Sequence, residues 1–131
     1  MNVNQNKKSN SFSIIARIKS FSYAFQGIKT FFQTQHNAWI HSFVTIVVIV
    51  LGYILKLSFN EWCWIILAIA FVFITEMLNT ALEFLTDLVS PEYHPIAKKT
   101  KDVAAGAVLL AAILAIIIGL IIFVPKFYLS K

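Results

Sequence analysis

Acidic residues are scarce in this chain. Six Asp and Glu stand against 11 Lys and Arg over 131 residues, and only 13% of the residues are charged while 59% are hydrophobic. That is too little charge to clothe a water-soluble domain of this size, so the bilayer is read as the solvent. Cysteine is nearly absent: Cys63 stands alone, which excludes an internal disulfide, and its place in an apolar run reads as a packed thiol. The glycines Gly27, Gly52, Gly106 and Gly119 never fall into a G-x-x-x-x-G-K pattern, which excludes a Gly-rich phosphate loop. No repeat is visible. The first long apolar run lies well inside the chain without a small-residue cleavage pattern, so no removable signal peptide is expected.

What is present is a set of long uncharged segments. Residues 103–124 carry no charge and, at about 1.5 Å per residue, reach across the ~30 Å hydrocarbon layer. Two further apolar runs precede this one, separated by the short break KLSFNE. The expected architecture is therefore an all-α membrane protein with spans near 37–57, 61–89 and 102–124. Lys7, Lys8, Arg17, Lys19 and Lys29 precede the first span and Lys98, Lys99 and Lys101 follow the second, which places both segments on the cytoplasmic side. Lys56, Lys126 and Lys131 are left for the exterior. A formal charge of +5 thus reads as topology and contact with anionic lipid, not as affinity for nucleic acid.

Ahead of the first span, residues 12–34 place Ile14, Ile15, Ile18, Phe21, Phe25, Ile28 and Phe32 at three-to-four spacing with cations between them. This predicts an amphipathic helix on the inner leaflet, or alternatively a soluble cap packed on the bundle. Residues 1–11 are polar and expected to be frayed, with 12–131 forming one domain. Pro91 ends the second span and Pro95 is read as a second breaker, so residues 90–100 are expected to be a cytoplasmic loop.

Against this background the stretch TEMLNTALEFLTD, residues 75–87, is anomalous. At about 100° per residue, Glu83 and Asp87 lie within roughly 20° of Glu76 around a helix, with Asn79 near −60° and Thr80 near +40°. All five share one face. A carboxylate inside a bilayer costs several kcal/mol unless paired, hydrated or metal-bound, so the stripe is read as facing a bundle interior or aqueous cleft. Glu76, about 22 Å from the outer end, is the deepest. For Glu83 and Asp87 the alternative is that they merely reach the headgroups. Lys98, Lys99, Lys101 and Asp102 open the next helix at the same membrane face. Cations opposite carboxylates suit a phosphate carrying a divalent metal; simple positive-inside anchoring is the other reading of the lysines.

The sequences EMLNTALE, EYH and KTKDVAAGAVLL, with AFQG and HNAWIH earlier, resemble the signature of the small integral-membrane bacterial diacylglycerol kinases, which include the undecaprenol kinases. The resemblance covers about 17–119. It implies a homotrimer with sites shared between subunits, ATP and Mg²⁺ as cofactors, and a membrane lipid alcohol, diacylglycerol or undecaprenol, as substrate at the inner membrane. It further implies Glu76 as catalytic base, Glu83 as metal ligand, and Tyr23, Asn79, Glu92, Tyr93, His94, Lys101 and Asp102 as nucleotide-site residues. Phosphoryl transfer needs mainly alignment and charge neutralisation, which such a set supplies.

Two positions depart from the pattern. Gln35 stands where the family usually has a metal-site glutamate, and an amide oxygen brings no charge to Mg²⁺. Ala16 stands where some relatives carry a substrate-contacting arginine, with Arg17 about 100° away around the helix. Gln35 keeps open a catalytically silent scaffold of the same fold; a small transporter would also bury Glu76 but has no need of Lys101 and Asp102. His36 and His41 are read as interfacial packing or local hydrogen bonding, because no second ligand stands at metal spacing. Trp39, Trp62 and Trp64 suit the aromatic belts, and the small residues around Gly106 suit close helix packing.

Overall fold

The computed structural model describes residues 13–129; the frayed start expected for 1–11, Phe12 and Lys131 lie outside the described residues. Four helices follow one another, Ile14–Thr34 (α1), His36–Ile54 (α2), Phe59–Val89 (α3) and Pro95–Leu129 (α4), with no strand among the described residues. The last three are long and apolar enough to cross a membrane. The protein is a multi-pass, all-α membrane protein.

Ser13 starts α1 by accepting the Ala16 N–H at 3.3 Å. The far end of this helix is anchored where buried Phe31 and its neighbour Phe32 both pack against Phe73 of α3. Ile14, Ile15, Ile18, Phe21 and Phe25 remain exposed, so the apolar stripe is not consumed by a cap-like packing on this protomer. That leaves the face free for the membrane surface. The chain turns into α2 at a single extended residue, Gln35, with φ −111° and ψ 114°. In an unbroken helix the Phe32 carbonyl would accept from His36; here the Trp39 indole takes it at 3.1 Å.

The α2–α3 turn is built on a left-handed Lys56, φ 51°. The Leu57 N–H returns to the Gly52 carbonyl at 3.0 Å and the Lys56 N–H to Tyr53 at 3.2 Å, a Schellman closure with lysine where glycine is usual. Ser58 and Glu61 then form a reciprocal capping box for α3. Glu61 also pairs with Lys126 at 2.9 Å, and Lys126 donates to the Lys56 carbonyl at 3.3 Å, which ties the end of α4 to this turn.

α4 departs from the expected bounds at both ends. Pro95 is not the breaker expected from the sequence, with the helix starting near 102, but the first residue of α4. A proline at that position lacks only an N–H that would be unpaired anyway, and its fixed φ suits the helix. His94 caps the start: its Nδ1 accepts the Ile96 N–H at 3.2 Å and its carbonyl the Lys98 N–H at 3.0 Å. The loop shrinks to 90–94. At the other end the helix passes through Pro125 instead of stopping near 124; the proline sits in the last turns, where the Lys126 ties hold the chain.

α4 packs along α3, and α2 packs on α3 from another side. Ala104 and Ala111 are buried in the α3–α4 contact, as small residues in a membrane bundle allow. Gly106 meets nothing within 4 Å of where a Cβ would stand, so it serves no packing within this protomer. α2 and α4 leave between them an apolar groove of about 480 Å³ floored by α3, lined among others by Val48, Ile69, Val72, Ala112 and Ile116, with His41 toward one end.

Candidate active site

The helical register of α3 places its polar residues as their spacing requires, and their partners differ. Glu76 is 2% exposed and Thr80 4%, the two buried polar residues of the described chain. The Glu76 carboxylate meets α2: His41 Nε2 lies 3.0 Å from Oε1. The imidazole is in turn held edge-on to Phe73, ring centroids 6.2 Å apart. The Thr80 hydroxyl donates to the backbone carbonyl of Glu76, not to its carboxylate.

One turn toward the C-terminal end of α3, Asn79 Nδ2 donates to Glu83 Oε1 at 3.1 Å. A carboxylate only accepts, so this bond fixes the amide with its nitrogen toward Glu83 and its oxygen away. That oxygen, Asn79 Oδ1, is buried and has no partner. An orphaned buried acceptor beside a carboxylate is costly in a protein that leaves it so. It is, however, a hard oxygen of the kind a divalent cation takes up, and it joins Glu83 on one ion only if the amide turns over. No group of three or more His, Cys, Asp or Glu able to hold a metal occurs among the described residues. Such an ion would therefore draw its remaining ligands from phosphate oxygens and water, the usual situation for Mg²⁺ in phosphoryl-transfer sites. Gln35, at the α1–α2 junction, makes no side-chain capping bond.

Further along the stripe Asp87 receives Lys101 Nζ from α4 at 2.5 Å, while Lys98 pairs with Asp102 within α4. The adjacent Lys101 and Asp102 thus turn to different partners. Tyr23, 66% exposed on α1, and Tyr93, 80% exposed in the loop, stand apart from the stripe, and Glu92 is exposed beside Tyr93. His94 is engaged as the α4 cap. Along α3 the stripe thus links Asn79 to Glu83, and it reaches α2 through Glu76 and α4 through Asp87, whereas among the described residues no hydrogen bond or ion pair joins the side chains of Tyr23, Gln35, Glu92 or Tyr93 to it.

His41, read from the sequence as interfacial packing or local hydrogen bonding, is hydrogen-bonded across to α3. Counting outward from the turn at Lys56 sets it about 22 Å along α2 and Glu76 about 30 Å along α3, more than a helical turn apart, so spacing alone does not announce the pairing.

Comparison with known proteins decides the class. The family model for prokaryotic diacylglycerol kinase matches residues 22–123. The chain belongs to that family. It is 44% identical over 108 residues to the undecaprenol kinase of Bacillus subtilis (strain 168), covering 82% of this chain and 88% of that one. It is 46% identical over 107 residues to the diacylglycerol kinase of Synechocystis sp., covering 81% of this chain and 61% of the other. Against the diacylglycerol kinase of Escherichia coli (strain K12) the identity is 27% over 100 residues, 76% of this chain and 82% of the other. As a member of this family the chain is a lipid kinase, and the stripe on α3 lies within the matched segment.

Proposed function

We propose that the protein transfers the γ-phosphoryl group of ATP to the primary hydroxyl of a membrane lipid, diacylglycerol or undecaprenol, at the cytoplasmic face of the inner membrane. The observation that carries the reading is the buried Glu76 carboxylate, set on the same α3 face as the Asn79–Glu83 pair. The N-terminus lies on the cytoplasmic side, where most of the cations fall.

Glu76 takes the hydroxyl proton. It lies deepest along the stripe, where an alcohol anchored by its hydrocarbon tail is presented, and a carboxylate held away from bulk water suits general-base work. Glu83, nearer the cytoplasm, would hold Mg²⁺, joined by the Asn79 oxygen once the amide turns over and its nitrogen leaves Glu83. When bound, the ion neutralises phosphate charge and aligns the γ-phosphoryl group. Lys101 and Asp102 at the start of α4 line the nucleotide side, with Lys101 exchanging Asp87 for a phosphate oxygen. Tyr23, Glu92, Tyr93 and His94 complete the nucleotide site in a homotrimer, where a neighbouring protomer supplies the contacts that one chain lacks.

Gln35 favours a second reading, a silent scaffold of the same fold, because it removes a charge from the metal site. The two are separated by assaying purified protein with ATP and Mg²⁺ against both lipid alcohols. Phosphorylated lipid that disappears with chelator supports the kinase; an intact oligomer inert to every lipid alcohol supports the scaffold.

A further inference from the structure

We infer that His41 is a positioning residue for Glu76, locking one carboxylate oxygen so that the other is offered to the lipid hydroxyl; this rests on the kinase reading above. The geometry leaves little else to hold that carboxylate. Among the described residues Oε1 is bonded by His41 Nε2 at 3.0 Å, and no hydrogen bond reaches Oε2. The nearby polar side chains are spent elsewhere: Thr80 on a backbone carbonyl and Asn79 on Glu83.

To act as a base the carboxylate must be ionised, and it then only accepts, so the imidazole nitrogen facing it is the donor in the working state. Phe73 stands edge-on to the ring, centroids 6.2 Å apart, and packs against one side of it. The side chain of His41 is 24% exposed against 3% for Glu76, so the histidine forms the accessible shoulder of a carboxylate that is otherwise enclosed. It also lines the apolar groove between α2 and α4, which places the held carboxylate beside a passage a hydrocarbon tail can occupy. A base fixed on one oxygen presents a single lone pair in one direction, and misplacement of a reacting group by about 1 Å costs on the order of 100-fold in rate.

The test uses the full chain in lipid micelles with ATP, Mg²⁺ and a lipid alcohol. His41→Leu is expected to lower kcat about 10- to 100-fold while KM for ATP stays within about threefold. His41→Gln, whose amide nitrogen reaches the Nε2 position, should recover most of that loss; His41→Asn, whose shorter amide does not, should resemble the leucine variant. In a Glu76→Gln background His41→Leu should add little, because it acts through the lost base. Should the leucine variant fail to fold, the Gln and Asn pair carries the comparison. Equal rates in that pair, or a leucine variant as fast as the wild type, overturn the inference alone. A wild type inert to every lipid alcohol removes the kinase reading and the inference with it.

Discussion

Asn79 and Glu83 stand one helical turn apart on α3, joined by a 3.1 Å bond from amide nitrogen to carboxylate, and that bond turns the Asn79 oxygen into a buried acceptor without a partner. If the oxygen serves a cation, its removal should show as a metal effect. Asn79→Leu is expected to raise the Mg²⁺ concentration for half-maximal activity about tenfold or more, with protein stability unchanged or improved because an unpaired polar group has gone. Magnesium titrations of activity alongside thermal midpoints check both halves. An unchanged metal requirement would detach Asn79 from the cation.

Gln35, at the α1–α2 junction, stands where a metal-site glutamate is expected from the family resemblance. Its side chain is partly exposed and makes no capping bond, so a carboxylate can replace it without breaking a contact. Gln35→Glu should maintain or raise turnover and lower the Mg²⁺ requirement, as added negative charge favours a divalent ion. A sharp loss of turnover would mean that the metal site is built differently.

The α2–α3 hairpin depends on a close approach at Gly52. A Cβ there would lie 2.7 Å from Trp62 Cη2 and 2.8 Å from Leu57 Cδ1, and Trp62 is itself packed on Tyr53 with ring centroids 5.1 Å apart. Gly52→Ala should destabilise the protein by about 1–3 kcal/mol through overpacking. Gly106→Ala, inside α4 with nothing near its Cβ, should instead stabilise the chain by up to about 1 kcal/mol through helix propensity. Thermal unfolding of the two variants in one detergent makes the comparison.

At Lys56 the opposite sign is expected. Its φ of 51° is a conformation that suits glycine, and only its backbone is needed for the turn and for the Lys126 contact. Lys56→Gly should stabilise the fold by up to about 1 kcal/mol, the left-handed penalty exceeding the added freedom of the unfolded chain. A fall in the unfolding midpoint would contradict this.

Much of the site was legible because a helix fixes angles: once residues 75–87 are helical, Glu76, Asn79, Thr80, Glu83 and Asp87 must share a face. What periodicity does not give is the neighbour across the gap. That Glu76 meets His41 and Asp87 meets Lys101 follows from the rotation of α2 and α4 about their own axes, which packing sets and apolar spacing only loosely constrains. Proline misled for a related reason. The same ring that breaks a helix interior opens one at its first residue, and only the capping geometry of His94 distinguishes the two at Pro95. Lys56 carried no signal at all, since its left-handed turn lacks the glycine that would announce it.

Glu76 is the residue on which the proposed chemistry depends most directly. Glu76→Gln keeps the shape of the side chain and removes its capacity to take a proton, so lipid phosphorylation by the purified variant should fall about 100- to 10,000-fold while ATP binding persists. Phosphorylation at the wild-type rate in that variant would contradict it.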